Sequence, residues 1–217
     1  MLNPPTGPTN PATPRTPSIL DQRPTLIQPF TSITERLKLE NFFANPQPLE
    51  IELGAGDGSF MVRYATQHPE RNFLAVERLL GRLRKLDRKG RRAALVNVGL
   101  LRIEAAYFVE YLLPARCAQT LHIYFPDPWP KKKHRKHRLI NARFPEIARQ
   151  ALAPGGVVYL RTDDADYFEQ VQEVFAAAAG HFAAIETPAE LSAVVTDFER
   201  EFNAQGIPTR RAAYQMK

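Results

Sequence analysis

"IELGAGDGSF", residues 51–60, joins a run of alternating apolar and acidic residues to three glycines at every second position. LEIEL (49–53) has the pattern of a short strand, and Asp57 to Gln67 that of a helix. The stretch therefore reads as strand, glycine turn, helix. Gly54, Gly56 and Gly58 let the backbone bend sharply and let a ligand come close. The helix that follows offers unpaired N–H groups at its start. A dinucleotide turn has the spacing G-x-G-x-x-G, which seats a pyrophosphate. Here the third glycine comes one residue early, and Glu52 stands before the turn. A fixed negative charge at that point suits a cationic ligand. The alternative reading is a tight turn without a ligand.

Outward from the turn, strand-like and helix-like segments alternate. NFLAVE (72–77), AALVNV (93–98), TLHIYF (120–125), GGVVYLRT (155–162) and HFAAIE (181–186) read as strands, and Thr209 to Met216 as a last edge strand. Between them, Leu79–Lys89, Glu104–Leu113, Leu139–Leu152 and Asp166–Ala179 read as helices, the third interrupted by Pro145. A further helix over Ser32–Phe43 opens the domain. This order predicts an α/β fold, Rossmann-like, with a mostly parallel seven-stranded sheet and helices on both faces. Glu77, ending the second strand, is placed to accept hydrogen bonds from ribose hydroxyls. Glu104 either borders the adenine end of a ligand or serves as a helix-start residue.

The chain has 217 residues, 44% of them hydrophobic, which is enough for one domain with a full core. Residues Met1 to about Gln28 hold seven of the 19 prolines and few large apolar groups, so they read as a disordered tail ahead of a domain over 29–217. With Cys117 alone, no intrachain disulfide and no cysteine metal cluster can form. His134 and His137 lack acids at metal spacing, and no metal site is expected. No apolar run is long enough to span a bilayer and no signal peptide is visible, so a cytoplasmic protein is expected. Monomer and homodimer remain equally open.

Net charge is +6, and its distribution carries more than its size. "YFPDPWPKKKHRKHR" (124–138) ends the fourth strand with Asp127 between two prolines, then eight consecutive basic or titratable residues with no acid. Ligands in such sheets bind at the carboxyl ends of strands, so this cluster shares an edge with the glycine turn. Unrelieved repulsion within it favours a phosphate backbone as partner over a plain solvated run. A second set, Arg82 to Arg92, lies on the helix after the second strand and is either a phosphate contact or a bare helix face. Trp129 can stack on a base or pack under its loop, with packing favoured, and His122 reads as a structural histidine inside a strand.

These motifs, together with "RTDDADYF" (161–168) and "TDFEREFNAQG" (196–206), resemble the bacterial tRNA (guanine-N7)-methyltransferase family over about Leu49 to Gly206. The resemblance implies a class I methyltransferase fold, S-adenosylmethionine as methyl donor, and a guanine in the tRNA variable loop as acceptor. It places Glu52, Gly54, Gly56, Gly58, Glu77, Glu104 and Asp127 at the cofactor, with Asp127 as the catalytic aspartate. It assigns Lys131, Asp163, Thr196, Asp197, Phe198 and Glu199 to the substrate nucleotide. Lys133, His134, Arg135, Lys136, His137 and Arg138 would touch RNA. Glu104 stands where the family more often has Asp or Asn, and Lys133 and His137 where Arg is common; Lys cannot reproduce a bidentate Arg contact.

The residues fit the chemistry. S-adenosylmethionine carries a sulfonium and an ammonium and no phosphate, which suits Glu52. Guanine N7 has a free lone pair, so Asp127 is not required as a general base. It or Asp163 can instead accept a hydrogen bond from a purine that becomes cationic. Asp163, Asp164 and Asp166 equally have the placing of helix caps. Methyl transfer to another RNA or to a protein, a nucleic-acid-binding module with a lapsed cofactor site, and a nicotinamide oxidoreductase are the competing readings.

Overall fold

The computed structural model describes residues 23–29 and 32–217. Seven strands form one sheet: β1 Leu49–Leu53, β2 Asn72–Val76, β3 Val98–Leu101, β4 Ala118–Tyr124, β5 Leu152–Thr162, β6 Phe182–Ile185 and β7 Arg210–Met216. Their order is β3-β2-β1-β4-β5-β7-β6, with β1 to β5 parallel and β7 antiparallel to both its neighbours. The chain winds one way from β1 to β3 and the other way from β4. A crevice therefore opens between the carboxyl ends of β1 and β4, where the glycine turn and the Asp127 loop begin.

The helices are α1 Met61–Gln67, α2 Leu80–Arg92, α3 Ala105–Tyr107 running into a π turn Phe108–Leu112, α4 Phe144–Ala151, α5 Ala165–Ala177, α6 Ala189–Ala193 and α7 Asp197–Ala204. Two cores result. Phe108, Phe144, Tyr167 and Val171 cover one sheet face, built from Ile51, Leu53, Leu74, Leu121, Ile123, Val158 and Leu160. Phe60, Tyr64, Leu83, Leu86, Leu191 and Val194 cover the other. Because strand side chains alternate, that second face carries Glu50, Glu52, His122, Tyr124 and Arg161, all buried.

Several boundaries differ from the sequence reading. No helix spans 32–43; a 3-10 turn, Leu39–Asn41, stands there, and Phe42 and Phe43 pack on the first core. Their apolar residues lie side by side and not at helical spacing. The third strand begins at Val98, not Ala93. Ala94 has φ +56°, Val96 is exposed, and the Asn97 side-chain amide donates to the carbonyls of Ala65, His68 and Arg71. AALVNV is thus mostly the turn off α2. Pro145 does not interrupt a helix, because α4 starts at Phe144 and the ring occupies its first turn, where no N–H is needed. β7 lies inside the sheet, and β6 is the edge.

The proline-rich tail falls outside the described residues as far as 22. Its last part, 23–28, is hydrogen-bonded to β3 and α2. Leu100 N–H donates to Leu26 O and Gln28 N–H to Leu100 O, at 2.9 Å each. Thr25 Oγ1 and the Leu26 N–H both donate to Asp87 Oδ1, at 2.9 and 2.7 Å.

Candidate active site

Glu77 fixes the glycine turn. Its Oε2 accepts from Gly56 N–H at 3.0 Å and its Oε1 from Leu79 N–H at 2.6 Å. Gly56 has φ +57° and Gly58 φ +78°; a Cβ on Gly58 would lie 2.1 Å from Leu86 Cδ1. That close approach brings α2 down onto the turn, where Lys89 Nζ pairs with Asp57 Oδ2 at 2.7 Å. Glu52 is 3% exposed, and its Oε2 has no hydrogen-bond partner among the described residues. Burial pushes its pKa well above the usual carboxylate range; nearby Arg161 opposes the shift, while Asp57 and Glu77 add to it. A buried carboxylate oxygen without a donor is costly, and a cationic group at the turn would satisfy it. The residues therefore fit the ammonium end of S-adenosylmethionine.

Two cavities meet at this edge. One, of about 270 Å³, is bounded by Glu52, Asp57, Asp163, Thr196, Phe198 and Phe202. The other, of about 570 Å³, is bounded by Glu77, Leu79, Ile103, Glu104, Ala105 and Trp129. Both share the wall Tyr124-Phe125-Pro126-Asp127, with Gly54 and Arg82. Phe125 and Trp129, two residues either side of Asp127, hold left-handed backbone, with φ +51° and +46°. Such conformations cost about 1–3 kcal/mol each for non-glycine residues. The rigid prolines between them keep Asp127 at the junction. Among the described residues Asp127 forms no ion pair with Lys131 or Arg135.

The basic loop is a 3-10 helix, Lys132–His137, and its residues divide by task. Arg138 is 1% exposed. Its Nε donates to Pro128 O at 2.6 Å, its Nη1 to Gln170 at 2.7 Å, and its Nη2 to Asp166 at 2.5 Å, with the guanidinium 4.7 Å over the Tyr167 ring. It is the internal strut of the loop. Arg135 also pairs with Asp166, at 2.7 Å. His134 and His137 sit against Trp129, with ring centroids 6.0 and 5.3 Å away. Lys131, Lys132, Lys133 and Lys136 stay exposed.

The acids after β5 separate as well. Asp164 caps α5 by accepting from Tyr167 N–H at 2.7 Å, and Asp166 holds Arg138 and Arg135. Asp163 is left to line the smaller cavity. Glu104 is a helix-start residue: it caps α3, accepting from Ala106 and Tyr107 N–H at 2.9 and 2.7 Å, and it also borders the larger cavity.

In the 196–199 segment, Thr196 caps α7 through Glu199 N–H while lining the smaller cavity beside Phe198. Asp197 lies outside that cavity, paired with Arg200 and facing Lys89 at 3.9 Å. Glu199 is fully buried, paired with Arg161 Nη1 at 3.1 Å and with Arg211. Arg161 is the hub beneath the site. It donates to the carbonyls of Val194 (2.7 Å) and Leu191 and lies 4.3 Å over the Tyr124 ring. One β5 side chain thereby ties α6 and α7 to the sheet and holds Thr196 and Phe198 in place. Below it, His122 Nε2 donates to Glu50 at 2.6 Å and the Tyr124 hydroxyl donates to His122 Nδ1 at 2.8 Å. Burial lowers the His122 pKa, in keeping with its structural reading.

A family model described as "Putative methyltransferase" matches residues 46–212. The tRNA (guanine-N(7)-)-methyltransferase of Syntrophotalea carbinolica is 36% identical over 76% of this chain and 72% of its own length. That of Geobacter metallireducens is 39% identical over 64% of this chain and 66% of its own length. The chain belongs to the tRNA (guanine-N7)-methyltransferase family. Solved structures support the methyltransferase fold alone. A 16S rRNA methyltransferase, KamB, superposes with TM-score 0.58 at 17% identity, covering 83% of this chain and 93% of that one. A 30S ribosomal A1408 methyltransferase from an uncultured bacterium gives 0.59 at 15%, with the same coverage. In this methyltransferase Asp57, Phe125 and Phe202 line the cleft without having been singled out as site residues from sequence, and Arg82, expected only as part of a basic helix face, lines it too. Asp57 and Phe125 lie inside the quoted motifs, but only the cleft shows which way they face. Arg161 carried no signal of its own, because a lone arginine in a strand reads as an exposed residue.

Proposed function

We propose that this protein transfers a methyl group from S-adenosylmethionine to N7 of a variable-loop guanine in tRNA. The junction at Asp127 carries the reading: two cavities meet there, beside a buried acid that lacks a donor. The larger cavity takes the adenosine end, with Glu77 facing the ribose; each of its oxygens accepts one backbone hydrogen bond and keeps a second lone pair. Glu52 and the glycine turn take the ammonium end. Bound S-adenosylmethionine supplies an electrophilic methyl group.

The smaller cavity takes the guanine. Phe198 and Phe202 with Phe125, ring centroids 5.9–6.4 Å apart, give it an apolar wall against which a base can stack. The N7 lone pair needs no base to expose it, so the chain's task is alignment, worth roughly 7–11 kcal/mol for well-oriented reactants. Asp127 and Asp163 accept hydrogen bonds from the N1–H and N2–H edge. Those bonds strengthen as the ring becomes cationic, which favours the transition state over the ground state. Lys131, Lys133 and Lys136 hold the flanking phosphates. Nucleoside analysis of tRNA treated with the pure protein and S-adenosylmethionine tests the reading. The expected product is 7-methylguanosine, and a methyl group on any other atom or macromolecule rejects it.

A further inference from the structure

The charge of this chain is concentrated in two places. α2 alone holds seven Lys and Arg and one acid, Asp87, a surplus of six that equals the net charge of the whole protein. Lys131–Arg138 holds six more Lys and Arg with no acid. The remainder is net acidic. The basic loop already has a place in the proposed function; α2 has none.

Asp87 is buried, and it faces the 23–28 segment and Arg91. The other acids near α2 are engaged too, Asp57 by Lys89 and Asp197 by Arg200. Arg84, Lys85, Arg88 and Arg92, with Arg63 of α1, are exposed and form no ion pair among the described residues. Arg84, Arg88 and Arg92 recur every fourth residue, a like-charge stripe that weakens a helix unless something relieves it. The stripe runs from beside Arg82, which lies 5.7 Å over the Phe198 ring at the mouth of the smaller cavity. It ends about 15 Å further along the helix, at a groove of about 470 Å³ bounded by Arg63, Lys89, Arg92 and Arg200. The acceptor cleft thus lies between two basic surfaces, the loop after β4 on one side and α2 on the other.

A nucleotide that enters the cleft continues as a strand in both directions, and each direction carries phosphates. Resting on the reading of tRNA as substrate, we propose that the outer face of α2, with Arg63 and Arg200, is a second phosphate-contacting surface for the tRNA. It would grip the strand on the side of the acceptor nucleotide opposite the basic loop.

The test compares three triple variants of the full chain with the wild type: Arg84→Gln/Arg88→Gln/Arg92→Gln on α2, Lys132→Gln/Lys133→Gln/Lys136→Gln in the loop, and Arg116→Gln/Arg149→Gln/Lys217→Gln elsewhere on the surface. tRNA affinity is measured as a function of salt, with S-adenosylmethionine affinity as the check on folding. Each lost phosphate contact reduces the slope of log K against log salt by about 0.7–0.9. The α2 variant is expected to lose about two from the slope and to raise the KM for tRNA about tenfold or more, with cofactor affinity kept. The third variant is expected to keep the wild-type slope. An α2 variant with wild-type slope and KM overturns the surface, as does an equal loss in the third variant, which would mean only diffuse attraction. A wild-type protein that leaves tRNA unmodified while the slopes differ as described rejects the substrate reading and keeps α2 as an RNA surface. A wild-type protein that does not bind tRNA removes both.

Discussion

The two faces of the central sheet are both buried, yet they are built from different chemistry. One is mainly aliphatic and aromatic, from Ile51 through Leu121 to Leu160. The other sets Glu50, Glu52, His122, Tyr124 and Arg161 under α1, α6 and α7. On the aliphatic face stability comes from area removed from water. On the polar face it depends on every charge finding its partner. Among the described residues, Glu52 Oε2 and Arg161 Nε on this face lack a hydrogen-bond partner, and the Glu52 oxygen lies at the point where the cleft opens. The aliphatic face holds the fold together, and the polar face carries the site.

Breaking the polar face should cost most. Arg161→Met leaves Glu199 buried with only Arg211, and a broken buried pair costs about 3–5 kcal/mol. Denaturant unfolding would show it, together with a raised KM for tRNA as Thr196 and Phe198 lose their anchor. Arg161→Met/Glu199→Leu should recover much of the stability and not the KM; recovery of both would mean that Arg161 only holds the fold. On the aliphatic face, Leu121→Ala should cost about 2–5 kcal/mol. At temperatures where the variant is folded, cofactor and tRNA affinity should stay at wild-type values. Loss of binding there would erase the division between the faces.

At the cleft, Asp127→Asn should lower kcat by roughly 10²-fold, in line with loss of one preorganised electrostatic group, with tRNA affinity changed little. The smallest effect belongs to Glu52→Gln, about 10- to 100-fold in S-adenosylmethionine affinity, the loss of one or two charge-assisted hydrogen bonds at about 1.5–3 kcal/mol. Its pH dependence makes it distinctive. The folded-state pKa of Glu52 is raised by burial. The protonated acid therefore supports the ligand-free fold below the ordinary carboxylate value, and that support fades as pH rises through the shifted value. A cationic ligand prefers the carboxylate, so affinity should climb with pH across the same window. Glu52→Gln should flatten both trends; titration calorimetry in buffers of different ionisation heat reads the released proton directly.

The order of strands and helices was legible because β-α alternation leaves periodic apolar runs, and Asp127 was legible because prolines isolate it in the sequence. AALVNV misled because an apolar run at the end of a helix looks like a strand until Asn97 is seen pinning the turn. Glu199 and Arg138 share one feature: each stands in a motif that the resemblance assigns to substrate or RNA contacts, and each side chain points inward. Sequence spacing cannot separate a residue that touches a ligand from one that braces its neighbour. The polar face itself was written in LEIEL, TLHIYF and VVYLRT, where charged or aromatic polar residues alternate with aliphatic ones. Alternation of that kind ordinarily means one wet face. Here α1, α6 and α7 cover it, a tertiary fact that no single strand reveals.

The short segment at 23–28 does more than tidy the amino terminus. By taking both hydrogen bonds of Asp87 Oδ1, it turns the one acid of α2 inward and leaves the helix's outer charges without an internal counter-ion. A truncation ending before Arg23 should leave that arrangement in place. One that removes Thr25 and Leu26 would return a carboxylate to the surface of α2. The charge that α2 presents outward is thus set, in part, by six residues that lie far ahead of the basic loop in the sequence.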